Sequence, residues 1–301
     1  AGGILFSWFD EWFKRNWLFL PYVIPPERNS LWFNLQDAEQ NYGLMAMYPN
    51  YPQKKVNLSG QKNDWINATI LYEKKAPVIF RFDDGADDAR TLEKMMVQHD
   101  EGFLYVLIET KGKINFSKAH YLIGIDTFSS ESGEFLLPFN LNVKSPIGLK
   151  FLFHIAGTNK SRVLVCKNYD KYLNTGRGEI KPIESHQGEW VTMQNQTNER
   201  RFSKDGKSVY PARIFTMSNL RFGSLDIKSP FYDSLADFFY KENMIELRIP
   251  WSLINFTDPS SKRVLWMDKQ GNTKKTEGIK FIAISYKPED DHLFAKRTGM
   301  K

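Results

Sequence analysis

Residues 244–250, with the sequence MIELRIP, alternate apolar and charged side chains, and this stretch decides the fold class. In a β-strand, successive side chains point to opposite faces. One face would then carry Ile245, Leu247 and Ile249, and the other Glu246 and Arg248. Such alternation is typical of an antiparallel strand that packs one face on a core and turns the other to solvent. We therefore expect the two charged side chains to point outward.

Further strand signals occur along the rest of the chain. β-Branched and aromatic residues concentrate in short runs separated by turn residues, as in all-β domains. The predicted strands are 78–82, 102–109, 120–126, 149–155, 162–166 and 279–286. Residues 157–160, GTNK, predict the turn of a hairpin between the fourth and fifth of these strands. Roughly 8 to 10 strands of this kind indicate an antiparallel β-sandwich with jelly-roll or immunoglobulin-like layers.

Helical signals are few in this region. Residues 88–98 indicate either a short helix or a strand that begins near Met95. Residues 234–241 indicate a second short helix. Residues 250–254, PWSLI, indicate a single helical turn directly after the strand, with Pro250 at the first helical position. The region is therefore expected to be mainly β.

The composition excludes several classes of protein. The chain has 301 residues, of which 42% are hydrophobic and 15% aromatic, so it can build a large core and is not wholly disordered. Its formal net charge of +6 is spread thinly, which argues against a nucleic-acid partner. The single cysteine, Cys166, excludes an internal disulfide. No apolar run approaches the ~18 to 20 residues that span a bilayer, so we expect no membrane insertion.

The sequence divides into three parts. In residues 1–20, which include Trp8, aromatic residues recur four positions apart, and this spacing predicts a helix with a broad apolar face that must be buried. Residues 21–55 form a Pro-rich linker that we expect to pack along the sandwich. Residues 56–301 then form the sandwich itself, with no further domain boundary.

Four motifs in residues 56–287 resemble, in the same order, those of carbohydrate-binding module family 9-like (DOMON-related) β-sandwiches. They are VNLSGQKNDWI at 56–66, HDEGFLYVLIETKG at 99–112, HYLIGIDTF at 120–128 and MIELRIPWSLI at 244–254. Ser59 and Gly60 stand where the family often has Asp-Gly, and Asp64 and Trp65 match the end of that opening turn. The resemblance implies a non-catalytic sandwich that binds carbohydrate.

A second resemblance concerns the start of the sequence. Residues 2–17, GGILFSWFDEWFKRNW, resemble the last strand and helix of a glycosidase-like (β/α)8 barrel, and residues 32–43 are similar to the linker that follows such barrels. One strand and one helix cannot build a barrel. The resemblance implies that the chain is the C-terminal part of a larger, exported bacterial protein. The missing N-terminal barrel domain would be a partner, and the location would be extracytoplasmic or at the cell surface.

Catalytic signals are weak. No GxSxG, HExxH, P-loop or dinucleotide-binding pattern occurs in the sequence. Asp10 and Glu11 stand where a barrel strand would deliver catalytic carboxylates, but they equally suit the acidic first turn of a helix. A glycosidase also needs a second carboxylate across its pocket. We expect no catalytic residue in this chain by itself, although the parent protein would be a glycoside hydrolase.

The sequence requires no cofactor, and it contains candidates for two kinds of metal site. Asp83, Asp84 and Asp87 belong to the densest acidic cluster and are candidate calcium ligands, because calcium prefers several oxygen ligands. The alternative is an acidic turn that caps the segment after it. The second option, suggested by the resemblance, is haem bound through His120 or His154, but no CxxCH attachment motif occurs and a structural role suits both histidines.

Three aromatic residues in loop-like surroundings are the candidates for a carbohydrate platform. Trp190, Tyr232 and Trp266 could stack on the apolar faces of sugar rings if their ring planes are exposed, and a buried role is the alternative for each. Trp65 and Trp251 are expected in the core. The sequence thus predicts an accessory domain whose partner is a polysaccharide or oligosaccharide. The competing prediction is an interaction module that braces the parent protein at the cell surface without binding sugar.

Overall fold

A computed structural model describes residues 2–3, 7–9, 43–45, 56–75, 88–170, 179–216, 218–269 and 271–288. In chain order its strands are β1 (Ser7–Phe9), β2 (Gly43–Met45), β3 (Thr69–Glu73), β4 (Leu92–His99), β5 (Phe103–Thr110), β6 (His120–Asp126), β7 (Glu134–Leu136), β8 (Lys144–Leu149), β9 (Phe151–Ile155), β10 (Arg162–Cys166), β11 (Trp190–Thr192), β12 (Gln194–Asn198), β13 (Arg201–Phe202), β14 (Val209–Tyr210), β15 (Arg213–Thr216), β16 (Phe238–Lys241), β17 (Met244–Pro250), β18 (Phe256–Asp258), β19 (Arg263–Asp268), β20 (Gly271–Lys275) and β21 (Lys280–Tyr286). Helical structure in these ranges consists of short 3-10 helices at Lys62–Trp65, Asp88–Arg90, Lys167–Tyr169 and Trp251–Ile254. The described chain is therefore mainly β, as predicted.

Two five-stranded sheets form the body of the fold. The first sheet has the strand order β11-β10-β9-β6-β21, and the second sheet has the order β16-β17-β5-β4-β3. Every strand pairing within these two sheets is antiparallel. The hairpin predicted from the turn residues 157–160 is present as β9 and β10. This arrangement confirms the predicted antiparallel, sandwich-like class.

The main core lies between the facing sides of the two sheets. On the first sheet, alternate residues of β6 and β9, including Ile123 and Phe153, are fully buried. On the second sheet, Ile245, Leu247 and Ile249 are buried in the same cluster, as the alternation in β17 predicts. Each such side chain removed from water contributes about 1.5–3 kcal/mol, so this shared cluster is the main stabilising element of the fold.

The outer face of the second sheet is also buried, which corrects the expectation for Glu246 and Arg248. Both charged side chains do point away from the main core, but they are buried. Residues 56–68 and 218–237 lie over them and form a second apolar cluster with this face of the sheet, through Trp65, Leu225 and their neighbours. Alternation within β17 correctly separated the two faces. It could not show that distant segments cover the outer one.

The outer face of the first sheet is covered by residues 127–149. The Phe139 ring lies 4.6 Å from the His154 ring, between ring centroids, and the Leu149 side chain lies so close to Gly124 that a Cβ there would come within 2.7 Å of it. Beneath this cover the Lys150 ammonium group is fully buried and lies 2.7 Å from the Asp126 carboxylate. It also donates to the backbone carbonyl oxygens of Ser129, Ser132 and Gly148.

Several local predictions differ from the structure. Of the two alternatives for residues 88–98 the strand is present, as β4 after a 3-10 turn, although it begins at Leu92 and not near Met95. Residues 234–241 contain β16 instead of the predicted helix. Trp8 lies in β1, which pairs in parallel with β2, and its side chain is exposed, so the predicted buried helix does not include it. The predicted strand 78–82 and the remainder of the predicted helix in 1–20 lie outside the described residues, as does most of the linker 21–55.

A long hairpin is formed by residues 194–216. β12 pairs with β15, and farther along the same hairpin β13 pairs with β14, in both cases antiparallel. The turn of the hairpin lies between Phe202 and Val209, which are opposite each other. Neither β13 nor β14 is buried.

Candidate ligand-binding cleft

A cleft of about 530 Å³ opens beside the covered outer face of the second sheet. Its lining comes from two segments that are distant in sequence, 57–64 and 225–232. The lining residues are Asn57, Ser59, Gln61, Asn63, Asp64, Leu225, Asp226, Ile227, Lys228 and Tyr232. Amide, hydroxyl and carboxylate groups and one lysine therefore surround the cleft, together with one aromatic ring and two aliphatic side chains. This is the mixture that a site for a polar small molecule needs.

The first wall of the cleft is held in place by Glu246. The Trp65 indole Nε1–H donates to one carboxylate oxygen of Glu246 at 2.7 Å, and the Gly60 backbone N–H donates to the other at 2.7 Å. Gly60 has a φ of +68° and approaches β16 so closely that a Cβ would lie 2.7 Å from Lys241 Cβ. Glycine alone satisfies both conditions at this position without strain.

The environment of Glu246 changes its acidity. Burial raises the pKa of its carboxyl group to about 7, because a charged carboxylate loses its hydration there, while the hydrogen bonds from Trp65 and Gly60 oppose this rise. A raised carboxyl pKa beside a cleft also occurs in general acids. Here, however, the side chain is 0% exposed and both oxygens accept hydrogen bonds from the wall itself. Glu246 therefore supports the wall and does not reach a ligand.

Asp64 closes the first wall into a compact loop. One of its carboxylate oxygens accepts a hydrogen bond from the Asn57 backbone N–H at 3.0 Å and another from the Ser59 hydroxyl at 3.1 Å. The Asp64 backbone carbonyl in turn accepts a hydrogen bond from the Gln98 side chain of β4 at 2.7 Å. The polar groups of this wall are thus fixed before any ligand arrives.

The second wall is tied directly to the first. The Leu225 backbone N–H donates to the Asn57 carbonyl oxygen at 2.7 Å, and the Leu225 side chain is buried in the same cluster as Trp65. Farther along this wall, the Asp226 carboxylate accepts a hydrogen bond from the Lys228 backbone N–H at 3.0 Å, and a backbone bond from Tyr232 to the Ser229 carbonyl follows at 3.1 Å. The first of these bonds joins the two walls, and the other two shape the second wall.

The three predicted aromatic candidates do not lie together. Tyr232 is half-buried and lines the cleft. Trp190 is only 7% exposed and donates its Nε1–H to the Leu136 carbonyl oxygen at 2.9 Å, so of the two roles considered for this residue the buried one applies. Trp266 is half-buried, and its ring contacts the Phe128 ring at 4.7 Å and the Lys274 ammonium group at 3.9 Å. Only Tyr232 of the three contributes to the cleft.

The two tryptophans expected in the core occupy different positions. Trp65 is buried, as predicted. Trp251 is half-buried and packs on the edge of the main core, where its Nε1–H donates to the Asp100 carbonyl oxygen at 3.0 Å. Of these two, Trp65 matters for the cleft because it carries the hydrogen bond to Glu246.

The proposed metal sites receive no new support. Asp83, Asp84 and Asp87 lie outside the described residues, and calcium binding there stays a prediction. In the part of the chain that the structure describes, no three His, Cys, Asp or Glu side chains group closely enough to hold a metal ion. His120 and His154 contact each other through ring nitrogens 3.4 Å apart, and the Tyr286 hydroxyl lies 2.9 Å from His154 Nε2.

Sequence reasoning found Tyr232 but missed the residues that build the cleft. The available signal was the opening motif at 56–66, in which Ser59, Gly60, Asp64 and Trp65 occur together. This motif marks the first wall. Nothing in the sequence around Leu225 links that segment to it.

Comparison of the chain with known proteins finds no relative. No protein-family model, no curated protein and no solved structure matches this chain. Among the described residues, no helix has the length and apolar character needed to cross a membrane. The interpretation of the cleft therefore rests on its own geometry and chemistry.

Proposed function

We propose that this chain is a non-catalytic carbohydrate-binding accessory unit and that its sugar ligand lies in the cleft between residues 57–64 and 225–232. The observation that carries this proposal is the combination of the Tyr232 ring with amide, hydroxyl and carboxylate side chains in one cleft. A sugar ring presents apolar C–H groups on its faces and hydroxyl groups at its edge. An aromatic ring matches the first, and hydrogen-bonding side chains match the second.

The rigidity of the walls supports the same proposal. Hydrogen bonds from Trp65 and Gly60 to Glu246, and from Leu225 to Asn57, fix both walls without a ligand. A preformed site loses little conformational entropy on binding, which matters for a sugar because each of its hydrogen bonds replaces one with water. Affinity for a single site of this kind is low. Tethering to a larger protein raises the effective concentration and compensates for it.

The parent protein is part of the proposal. The resemblance of residues 2–17 to the end of a glycosidase-like barrel supports a role as an accessory to a glycoside hydrolase-like enzyme. Such an enzyme acts on polysaccharides outside the cytoplasm, so we place the chain in the extracytoplasmic space or at the surface of a bacterial cell. The accessory unit would hold the barrel domain close to its substrate.

Affinity electrophoresis through gels that contain neutral polysaccharides tests the proposed cleft. We expect at least one neutral glucan, xylan or mannan to retard the chain, and Tyr232→Ala to weaken retardation about tenfold, a loss of roughly 1–2 kcal/mol for one stacked ring. Tyr72→Ala is the matched control, because Tyr72 is an exposed tyrosine that does not line the cleft. Equal loss in both variants, with folding confirmed by circular dichroism, would contradict the cleft as the binding site.

A second candidate function is the interaction module that braces the parent protein without binding sugar. The observation that favours it is β3, an edge strand of the second sheet whose five residues are all exposed. It includes the apolar side chains of Ile70, Leu71 and Tyr72. An exposed apolar edge strand can pair with another chain. A folded chain that no glycan retards would favour this second function over the first.

A further inference from the structure

The end of the hairpin formed by residues 194–216 exposes aromatic rings on both of its faces. Phe202 is 61% exposed and Tyr210 is 58% exposed. Phe202 lies opposite Val209, whereas Tyr210 lies opposite Arg201, so the two rings belong to opposite faces of the ribbon. A two-stranded ribbon without a packed face is only marginally stable in water. Two exposed rings at its end therefore indicate a partner.

The turn at the end of this hairpin nevertheless has a defined conformation. The Ser203 hydroxyl donates to the Asp205 carboxylate at 2.5 Å, and the Ser208 backbone N–H donates to the Ser203 hydroxyl oxygen at 2.9 Å. Gly206 supplies the positive φ of +68° that the turn requires. These bonds define the backbone of the turn next to the paired residues Phe202 and Val209.

Charge identifies the chemistry of the partner. Between residues 199 and 213 the hairpin carries five cationic side chains, Arg200, Arg201, Lys204, Lys207 and Arg213, and two anionic ones, Glu199 and Asp205. Five cations and two anions give this segment a net charge of +3, which is half of the +6 of the whole chain, so the surplus is less evenly spread than the overall composition indicates. Within the described part of the chain, no acidic side chain forms an ion pair with Arg201, Lys204 or Lys207.

We infer that the end of this hairpin is a second carbohydrate-contacting surface, and that it binds an anionic polysaccharide whose sugar units carry carboxylate groups. The inference rests on the proposed function for the ligand class and goes beyond it in the location and the charge of the ligand. Phe202 and Tyr210 offer rings for stacking. Arginine and lysine side chains beside them pair with carboxylates, and the Arg200 guanidinium already lies 5.2 Å from the centre of the Phe202 ring.

Geometry favours a polysaccharide over a flat anionic surface. Because Phe202 and Tyr210 lie on opposite faces of the ribbon, a planar membrane that packs against one face would contact only one of the two rings. A flexible polymer can contact both. The cleft is a poorer place for the same ligand, since two carboxylates, those of Asp64 and Asp226, line it against one ammonium group, that of Lys228, whereas the hairpin carries an excess of cations.

Affinity electrophoresis in gels that contain polygalacturonate tests this inference on the full chain. We expect strong retardation at low ionic strength and a loss of about tenfold in apparent affinity between 0.05 and 0.3 M NaCl, because salt screens exposed charges. The combined variant Arg201→Gln, Lys204→Gln and Lys207→Gln should weaken binding at least about tenfold, since three charged contacts are lost. Phe202→Ala should weaken it by a smaller factor of about three to ten.

The control variant removes the same amount of charge elsewhere. Lys118→Gln, Lys144→Gln and Lys269→Gln together change three exposed lysines outside the hairpin. We expect this variant to bind polygalacturonate within a factor of about two of the unmodified chain, as screened distant charges contribute little. Equal weakening in the two combined variants would overturn the inference, because net charge and not the hairpin would then govern binding.

Two further outcomes separate the hairpin from the cleft. In one outcome, Tyr232→Ala abolishes binding to polygalacturonate and the hairpin variants leave it unchanged. This result would overturn the hairpin surface and retain the proposed function. Absence of retardation by polygalacturonate, together with sedimentation of the chain with phosphatidylserine vesicles, would overturn it in favour of a lipid surface. Retardation by neutral glucan alone would overturn the anionic ligand and leave the cleft intact.

Discussion

Both sheets bury a charged side chain on the face turned away from the main core, but the two charges have different partners. Lys150, directly before β9, lies 2.7 Å from the Asp126 carboxylate and also donates to three backbone carbonyl oxygens. Glu246, in β17, receives two hydrogen bonds from the neutral groups of Trp65 and Gly60. A buried charge with a counter-charge acts as a fixed clamp. One held by neutral donors becomes a group that titrates near neutral pH.

The chain segments that cover these two outer faces also form different structures. Residues 127–149 cover Lys150. Residues 56–68 and 218–237 cover Glu246 and continue into the walls of the cleft. A chain segment packs over a buried charged residue in both cases. It forms a closed layer on the first sheet and one side of a candidate ligand site on the second.

The largest expected effect is on the clamp at Lys150. Lys150→Met would leave the Asp126 carboxylate buried without its cation, and we expect a loss of about 3–5 kcal/mol in the free energy of unfolding. Urea denaturation measures this loss. Adding Asp126→Leu to the same chain should recover a substantial part of it, because both charges are then absent. A loss below about 1 kcal/mol in the single variant is typical of exposed pairs and would contradict a buried clamp.

The next effect is the pH dependence that Glu246 imposes. Its pKa rises from 4.5 to about 7 in the folded chain. The folded state therefore binds more protons than the unfolded state in this interval, and its stability falls as the pH rises through it. The fall amounts to on the order of 3 kcal/mol. Denaturation at each pH from 4 to 8 measures the free energy of unfolding of the unmodified chain and of Glu246→Gln. The difference between the two proteins isolates this contribution. Parallel pH profiles for the two proteins would refute it.

A smaller effect is expected from the indole that holds the cleft wall. Trp65→Phe keeps most of the buried ring but removes the N–H donor to Glu246, which should cost about 2 kcal/mol at pH 8. Protonated Glu246 needs that donor less, so the cost should decrease at pH 5. Trp251→Phe is the matched control, because its N–H donates to the neutral Asp100 carbonyl. Its cost should be lower and independent of pH, and equal pH profiles would argue against a special role for Trp65.

The smallest effect concerns the glycine that brings the wall close to β16. Gly60 and Gly206 both have a φ of +68°, but only at Gly60 would a Cβ meet another side chain, at 2.7 Å from Lys241 Cβ. Gly206→Ala should cost about 1 kcal/mol from backbone strain alone. Gly60→Ala should cost about 1 kcal/mol more, since overpacking is added to the same strain. Thermal unfolding of both variants measures the difference. Identical losses in the free energy of unfolding would show that the close approach of Gly60 to Lys241 does not affect stability.

Much of the sheet framework could be predicted from local sequence. Alternation marked β17 and separated its two faces, and the turn residues 157–160 marked the hairpin of β9 and β10. β16 was missed because it joins β17 through Glu242 and Asn243, which lack the Asn-Gly or Asp-Gly pattern that reveals a tight hairpin. Glu242 nonetheless adopts a positive φ of 52° there. This hairpin therefore forms without the favoured turn residues.

The candidate site could be predicted only in part. Tyr232 was found because aromatic residues in loop-like surroundings are few. The cleft itself depends on the bond between Leu225 and Asn57, which joins segments that no local pattern connects. The burial of Glu246 was not expected for the same reason, because burial of an outward face depends on covering segments from elsewhere in the chain. Local periodicity reports on one strand and its two faces, and it carries no information on what lies above them.

The most direct test of the contrast between Lys150 and Glu246 is an NMR titration of the Glu246 side-chain carboxyl carbon in the folded chain, assigned with the Glu246→Gln variant. The buried carboxyl group, held by Trp65 and Gly60, should titrate with a midpoint of about 7. A midpoint near the ordinary value of 4.5 would show that Glu246 is hydrated, and would contradict a cleft wall anchored over a buried carboxylate.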